Sequence, residues 1–307
     1  MKIGIDLGGS HIGVGLVKND GIILRKKEKD IVEEDKEKIK EIIEQTIRKF
    51  IHELLIEEKI SIKEIEMIGI ASPGTVKDGT IYHMVNLGIE TLEIREMLNR
   101  YFELPIQVKN DAKCAGIAEF LYGSMKEYED GNFLSIGTGI GGAVYVNNRL
   151  LEPKTNAGME FGHMIIEKEG KECKCGNRGC FETYCSMKNL KEKVKTALDL
   201  NANTSSEMVV RKIKEEQNQG LIKEILDEYI SYFSIGLTNL INIFEPEIVC
   251  LGGSFAYLGE EIVEKIKKQM KENNLLFNKR RELNIVLATL GNNAGMIGAA
   301  NIPSDNQ

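Results

Sequence analysis

Histidine, cysteine and proline are scarce in this sequence, which contains four, six and five of them among 307 residues. The five prolines and the lack of a Ser/Gly-rich linker predict two halves joined by a hinge near residues 109 to 130. No apolar stretch reaches the roughly 18 residues of a membrane span, and the N-terminus lacks the layout of a signal peptide. We therefore expect a cytoplasmic protein without a membrane partner.

An excess of positive charge is also missing. The formal net charge is -7 and the isoelectric point is near 5.4. Proteins that neutralise nucleic-acid phosphates usually carry a basic domain or a basic face. The composition therefore argues against a nucleic-acid partner.

The chain contains two related segments that predict an α/β fold. Residues 3 to 17 and 133 to 147 each read as a strand, a Gly-rich turn and a second strand. Elsewhere, apolar residues at three- and four-residue steps predict a long amphipathic helix over residues 39 to 55, and further strands and helices follow. The repetition suggests two α/β domains of similar plan.

Three Gly-rich segments could approach phosphate groups: Asp6 to Ser10, Gly137 to Gly142, and Leu251 to Ser254. Such turns let backbone N–H groups point at an anion without a Cβ in the way, although each could also be an ordinary tight turn. The sequence has no Walker A lysine motif, so a P-loop site is not supported. Four of the six cysteines lie within residues 173 to 185, which favours a metal site over disulfides.

Five motifs together resemble the ROK family of sugar kinases and sugar-responsive repressors. They are Asp6-Leu-Gly-Gly, Asn110-Asp111-Ala112, Gly137-Thr-Gly-Ile-Gly-Gly, Glu160-Phe-Gly-His163 and Cys173-x-Cys175-Gly-x-x-Gly-Cys180-x-Glu182. The resemblance runs over nearly the whole chain. It implies a two-lobed, actin-like ATPase fold with ribonuclease-H-like cores and an inserted zinc-binding loop, closing around ATP and a sugar. The expected lobes are residues 1–115, joined by the C-terminal helix 291–307, and residues 116–290, with the zinc loop at 160–182.

The cysteine segment then gains a specific interpretation. His163, Cys173, Cys175 and Cys180 supply an imidazole and three thiolates, a set suited to tetrahedral structural zinc. Zinc would fix the loop that carries Glu160 and Glu182. Alternatively, the zinc site only holds the loop together and the two glutamates are solvated.

The resemblance also assigns the phosphoryl-transfer and sugar-binding residues. Asp111 is the expected catalytic base, although an Asn-Asp pair at this place could also be a helix N-cap. Asp6 is expected to orient Mg²⁺ or its bound water. The expected ATP-binding residues are Asp6, Gly8, Gly9, Ser10, Gly137, Thr138, Gly139, Gly252 and Gly253. The expected sugar-binding residues are Gly74, Asn86, Asn110, Asp111, Glu160, His163 and Glu182.

These roles imply an ATP-dependent hexose kinase that transfers the γ-phosphate to the 6-hydroxyl of a hexose, with glucose as the first candidate. N-acetylmannosamine and N-acetylglucosamine kinases share the same motifs and remain alternatives. Lys113, Cys114 and Met159 depart from the family pattern beside the expected sugar pocket, where they bear on substrate preference.

A noncatalytic sugar-sensing regulator is a second alternative. Repressors of the family carry a helix-turn-helix before the Asp-Leu-Gly-Gly strand, and here one residue precedes Lys2, so we expect no such function. A homodimer or homotetramer is expected. The apolar stretch within residues 221 to 244 could lie in a core or in an interface.

Overall fold

The structure is a computed structural model that describes residues 1–33, 35–84, 87–154 and 158–303. The chain divides into two compact units. Unit 1 comprises Met1–Lys126, Glu152–Gly158 and Asn292–Gln307, and unit 2 comprises Glu127–Leu151 and Met159–Gly291. Each unit has its own hydrophobic core.

Within the described residues of unit 1, the main sheet has five strands in the order β3-β2-β1-β4-β8. The first three strands pair antiparallel, and β4 and β8 continue the sheet in parallel from β1. A three-stranded antiparallel sheet, β5-β6-β7, belongs to the same unit. The strands of unit 1 are β1 (Lys2–Leu7), β2 (His11–Val17), β3 (Ile23–Asp30), β4 (Ile68–Ser72), β5 (Thr75–Lys77), β6 (Thr80–Met84), β7 (Ile89–Leu92) and β8 (Ile106–Asn110).

The helices of unit 1 cover its main sheet. They are α1 (Lys36–Glu58), α2 (Ile94–Asn99), α3 (Asp111–Tyr122) and α9 (Ala294–Ala299). The long helix α1 begins where the Asp35 side chain accepts hydrogen bonds from the backbone N–H groups of Glu37 and Lys38, and it ends at Lys59 with a left-handed φ of 55°. Its buried face is the one that the apolar spacing predicts.

Unit 2 repeats the plan of unit 1. In its described part, a five-stranded sheet has the order β11-β10-β9-β12-β13, with an antiparallel hairpin β9–β10 followed by two parallel neighbours. Its strands are β9 (Gly131–Ile136), β10 (Ile140–Val146), β11 (Arg149–Leu150), β12 (Ile248–Gly252) and β13 (Ile285–Leu287). Its helices are α4 (Phe181–Cys185), α5 (Met187–Ala197), α6 (Ser206–Glu216), α7 (Gly220–Phe244) and α8 (Glu260–Glu272).

Helix α7 contains the apolar stretch for which the sequence left core and interface open. Tyr229, Ile230, Phe233 and Leu237 are all buried within unit 2, and Phe233 stacks on Phe255. This stretch is therefore part of the core of unit 2. None of the described helices has both the length and the apolar composition to span a bilayer.

Candidate functional site

The predicted acidic residues of unit 1 lie where its parallel strands end. Asp6 pairs in register with Ala71 near the end of β4, and Ser72 pairs with Asn110 at the end of β8. The carboxyl ends of adjacent parallel strands in an open α/β sheet are the usual place for ligands. The fold thus brings Asp6, Asn110 and Asp111 to one edge of the sheet.

Asn110 caps helix α3, so the N-cap interpretation of this pair applies to Asn110. Its Oδ1 accepts hydrogen bonds from the backbone N–H groups of Ala112 and Lys113, at 3.0 and 3.3 Å. Its Nδ2 donates to the Gly74 carbonyl at 3.3 Å. Hydrogen bonds at both the oxygen and the nitrogen of its amide therefore hold the Asn110 side chain in place.

Asp111 is the first residue of α3 and has an unusual electrostatic environment. Although its side chain is exposed, desolvation by the surrounding protein raises its pKa to about 6, and the negative charge of Asp6 adds to the rise. The backbone N–H of Ala112 donates to its Oδ1 at 2.7 Å and opposes this effect. An accessible carboxylate with a pKa near neutrality suits a general base.

The first Gly-rich turn joins β1 and β2 and contains Gly8, Gly9 and Ser10. The Gly8 N–H donates to the His11 carbonyl at 2.9 Å, which closes the turn, and Ser10 is exposed. The His11 ring lies beside the turn, with Nε2 3.9 Å from Oδ2 of Asp6, and the Asp6 carboxylate raises the pKa of His11. No sequence pattern indicates this pair, because the two residues meet only after the hairpin forms.

Gly74, a predicted sugar contact of unit 1, follows β4. Gly74 has a left-handed φ of 85°, and a Cβ there would lie 2.3 Å from the Tyr82 carbonyl oxygen, so this position requires glycine. Asn86 lies outside the described residues.

The two Gly-rich segments of unit 2 lie at the same end of its sheet. The Gly137 N–H donates to the Gly139 carbonyl at 2.9 Å, and this turn presents Thr138 to solvent. Gly252 ends β12, which is parallel to β9, and a Cβ on Gly253 would lie 2.6 Å from the Ile136 carbonyl oxygen. Segments from β9 and β12 therefore pack against each other, and Thr138 and Gly253 are exposed.

The four predicted zinc ligands lie together. One ligand atom from each of His163, Cys173, Cys175 and Cys180 falls within 4.8 Å of all the others. Cys173 Sγ is 3.7 Å from His163 Nδ1, and Cys175 Sγ is 3.6 Å from Cys180 Sγ. A zinc tetrahedron with ordinary bond lengths has edges of about 3.6 to 3.8 Å. The arrangement fits a structural zinc site.

The electrostatics of this cluster also favour a cation. Burial raises the pKa of the Cys180 thiol to about 12, and the neighbouring thiols add to the rise. Three thiolates at this spacing repel one another unless a cation is bound among them. The observed set of donors therefore matches the chemistry of Zn²⁺.

The two predicted glutamates differ in their surroundings. Glu160 is exposed and precedes a 3-10 turn, Phe161–His163, in which the His163 N–H donates to the Glu160 carbonyl. Glu182 lies on α4 and is half-buried, and its Oε2 accepts a hydrogen bond from the backbone N–H of Ile140 at 2.9 Å. The sequence did not predict this contact, which joins residues 42 positions apart.

The fold and these sites define a class of protein: a duplicated α/β protein with Gly-rich turns in both units and a Cys3His cluster. The model of the ROK family matches residues 2–306. The chain belongs to the ROK family.

Both kinases and repressors of this family are similar to the chain. A glucokinase of Streptomyces coelicolor is 27% identical over 317 aligned positions, which cover 98% of this chain and 97% of that protein. A xylose repressor of Bacillus subtilis is also 27% identical, over 99% of this chain and 77% of the repressor. Sequence similarity alone therefore does not separate the two activities.

A solved structure is similar over nearly the full length of both chains. The ROK family glucokinase of Streptomyces griseus, in complex with glucose and AMPPNP, is 26% identical, with a TM-score of 0.78 and coverage of 98% of both chains. The actin-like ATPase fold that the motifs predicted is thereby confirmed.

Proposed function

We propose that this protein is an ATP-dependent hexose kinase that transfers the γ-phosphate to the 6-hydroxyl of its sugar. The observation that carries the proposal is Asp111, an accessible carboxylate whose pKa is raised to about 6, at the sheet edge that also holds Asp6. A noncatalytic sugar sensor has no need for a base with a pKa near neutrality. This distinction favours the kinase over the regulator.

Asp111 would accept the proton of the 6-hydroxyl as the hydroxyl oxygen attacks the γ-phosphorus. The bond between oxygen O6 and phosphorus forms, the bond between phosphorus and the β,γ-bridging oxygen breaks, and ADP leaves with that electron pair. The proton then resides on an Asp111 carboxyl oxygen. The Ala112 N–H bond and the Asn110 cap hold the start of α3 in position for this transfer.

The remaining groups would bind and orient the reactants. We assign Asp6 to Mg²⁺ or its bound water, because its carboxylate is partly exposed and a hard cation prefers oxygen ligands. The cation would neutralise charge on the phosphates. Gly8, Gly9 and Ser10 in unit 1, and Gly137, Thr138, Gly139, Gly252 and Gly253 in unit 2, would bind ATP.

The sugar hydroxyls would be bound by acceptor-rich side chains and by His163. His163 Nδ1 faces Cys173, which leaves Nε2 for a sugar hydroxyl. Gly74, Asn86, Asn110, Glu160 and Glu182 complete the proposed set. The loss of one matching hydroxyl would leave buried polar groups unpaired, so such a site discriminates between sugars.

Glucose is the acceptor that we propose first, because curated glucokinases are among the relatives. N-acetylmannosamine and N-acetylglucosamine are the alternatives. Met159, which has a left-handed φ of 65°, stands where other members commonly have glycine and would border the space beside C2. A cytoplasmic homodimer or homotetramer is part of the same proposal.

The test is a coupled ADP-release assay over a panel of hexoses that includes both N-acetylated sugars. We expect turnover with a hexose, glucose first, and a loss of at least about a hundredfold in kcat for Asp111→Asn, with sugar binding retained. Sugar binding without turnover in the wild type would favour the regulator. A kcat/KM for N-acetylmannosamine about tenfold above that for glucose would replace the substrate but keep the mechanism.

A further inference from the structure

Glu182 makes a contact that sugar binding does not require. Its Oε2 accepts a hydrogen bond from the Ile140 N–H, at the point where the Gly137–Gly139 turn enters β10. Among the described residues, this is the one hydrogen bond that the Glu182 side chain makes. Hydrogen bonds from a backbone N–H to a carboxylate are stronger than those to neutral acceptors. One end of the turn is therefore fixed by a charge.

The segment of residues 182 to 189 also holds the other end of the turn. The Lys188 N–H, at the start of α5, donates to the Gly137 carbonyl at 3.2 Å. Asn189 Nδ2 donates to the carbonyls of Glu182 and Thr183, at 3.2 and 2.9 Å, and fixes the backbone of α4. Residues 182 to 189 thus hold the turn at both ends, by a side chain and by a backbone group.

Packing leaves little freedom for the Glu182 carboxylate. A Cβ on Gly139 would lie 2.4 Å from Oε2, and a Cβ on Gly162 would lie 3.2 Å from the same atom. The two positions thus bring the turn and the Phe161–His163 segment close to Glu182. Cys180, a ligand of the cluster described above, is two residues from Glu182 in sequence.

We propose that Glu182 is a positioning residue for the nucleotide-binding turn, a role additional to any contact with sugar. Oε2 holds the Gly137–Gly139 turn in the conformation that binds phosphate, while Oε1 remains free to accept from a sugar hydroxyl. This inference rests on the proposed kinase function, because it takes the turn to be part of the ATP site.

One carboxylate that serves both ligands couples their binding. A sugar hydroxyl at Oε1 restricts rotation of the carboxylate, and this restriction also favours the hydrogen bond between Oε2 and Ile140. Each ligand should then strengthen binding of the other by the same factor, since coupling free energies are reciprocal. A glutamate that binds sugar alone would give no such coupling through the turn.

The test is calorimetric titration of a nonhydrolysable ATP analogue with Mg²⁺, first without sugar. Glu182→Ala removes the acceptor, and Glu182→Asp retracts the carboxylate by about 1.5 Å, one carbon–carbon bond, so that it no longer reaches Ile140. We expect both to weaken nucleotide binding by at least about tenfold. Glu182→Gln keeps a neutral acceptor and should restore affinity to within about threefold of the wild type.

Glu160→Ala is the matched control. Glu160 directly precedes the Phe161–His163 segment but, among the described residues, makes no hydrogen bond to the Gly137–Gly139 turn. We expect it to change sugar affinity and to leave sugar-free nucleotide affinity unchanged. The titrations are then repeated with saturating glucose. Glucose should strengthen nucleotide binding to the wild type and fail to do so in Glu182→Ala.

The outcomes separate this inference from the proposed function. Equal sugar-free nucleotide affinity in the wild type, Glu182→Ala and Glu182→Asp would overturn the positioning role while leaving the kinase intact. Nucleotide binding that depends on Glu182, without turnover of any hexose, would keep the positioning role and overturn the kinase. A wild type that binds no nucleotide would overturn both. Zinc content is measured for every variant. If Glu182→Ala fails to fold, the nucleotide affinities of Glu182→Asp and Glu182→Gln test the positioning role.

Discussion

Replacing Asp111 by asparagine should stabilise the protein while it lowers kcat by at least about a hundredfold. The wild-type carboxyl has its pKa raised from 3.8 to about 6, so the folded state binds this proton more tightly than the unfolded chain does. Stability therefore falls as the pH rises from about 3.8 to about 6. Above that window, the charged Asp111 carboxylate lowers the free energy of unfolding by its full amount. Below that window the carboxyl is protonated in both states, and this loss of stability disappears. Asparagine keeps the shape of the side chain and carries no charge, so the variant does not lose this stability at high pH.

The size of the Asp111 pKa shift sets an upper limit on the stabilisation expected for Asp111→Asn. One pKa unit corresponds to about 1.4 kcal/mol, so a rise from 3.8 to about 6 gives at most about 3 kcal/mol. The Asp111 side chain is exposed, and screening by solvent lowers the expected gain to about 1 kcal/mol. In domains of this size that gain raises the melting temperature by about 2 to 4 °C.

The assay is thermal unfolding of the wild type and Asp111→Asn at pH 8 and at pH 4. We expect the variant to melt higher at pH 8 and the difference to shrink at pH 4, because the wild-type carboxyl is then largely protonated in the folded state. Glu103→Gln, an exposed acid in the same unit, is the control and should show no such pattern. A variant that melts at or below the wild type at pH 8 would refute the argument from desolvation.

Two further substitutions test the metal cluster and the core of unit 2. The purified protein should contain about one zinc per chain by atomic emission, and Cys175→Ser should lose the metal and activity while Cys185→Ala, outside the cluster, retains the zinc; full activity without zinc would contradict this assignment. Asn132 is fully buried, and neither polar atom of its side chain has a hydrogen-bond partner among the described residues. Asn132→Leu should therefore raise the free energy of unfolding by about 1 kcal/mol in urea titrations, whereas a lowered midpoint would show that the amide is satisfied.

The sequence by itself determined the elements and residues whose chemistry is local. Apolar periodicity predicted the buried face of α1, and the spacing of Cys173, Cys175 and Cys180 predicted a metal site whose donors the fold brings together with His163. It missed β3, because the charged side chains of Ile23–Asp30 hide the strand pattern at an exposed edge of the sheet.

Only the tertiary structure decided the properties that depend on residues far apart in the chain. The pKa of Asp111, at the start of α3, is raised by the surrounding protein and by Asp6, which lies on β1. Glu182 accepts a hydrogen bond from Ile140, 42 positions away in the chain. No sequence pattern predicts this contact, because α4 and the β9–β10 hairpin meet only on folding. Ligand sets and periodic faces follow from side-chain chemistry and backbone repeat, whereas desolvation and hydrogen-bond partners follow from the packing that surrounds each group.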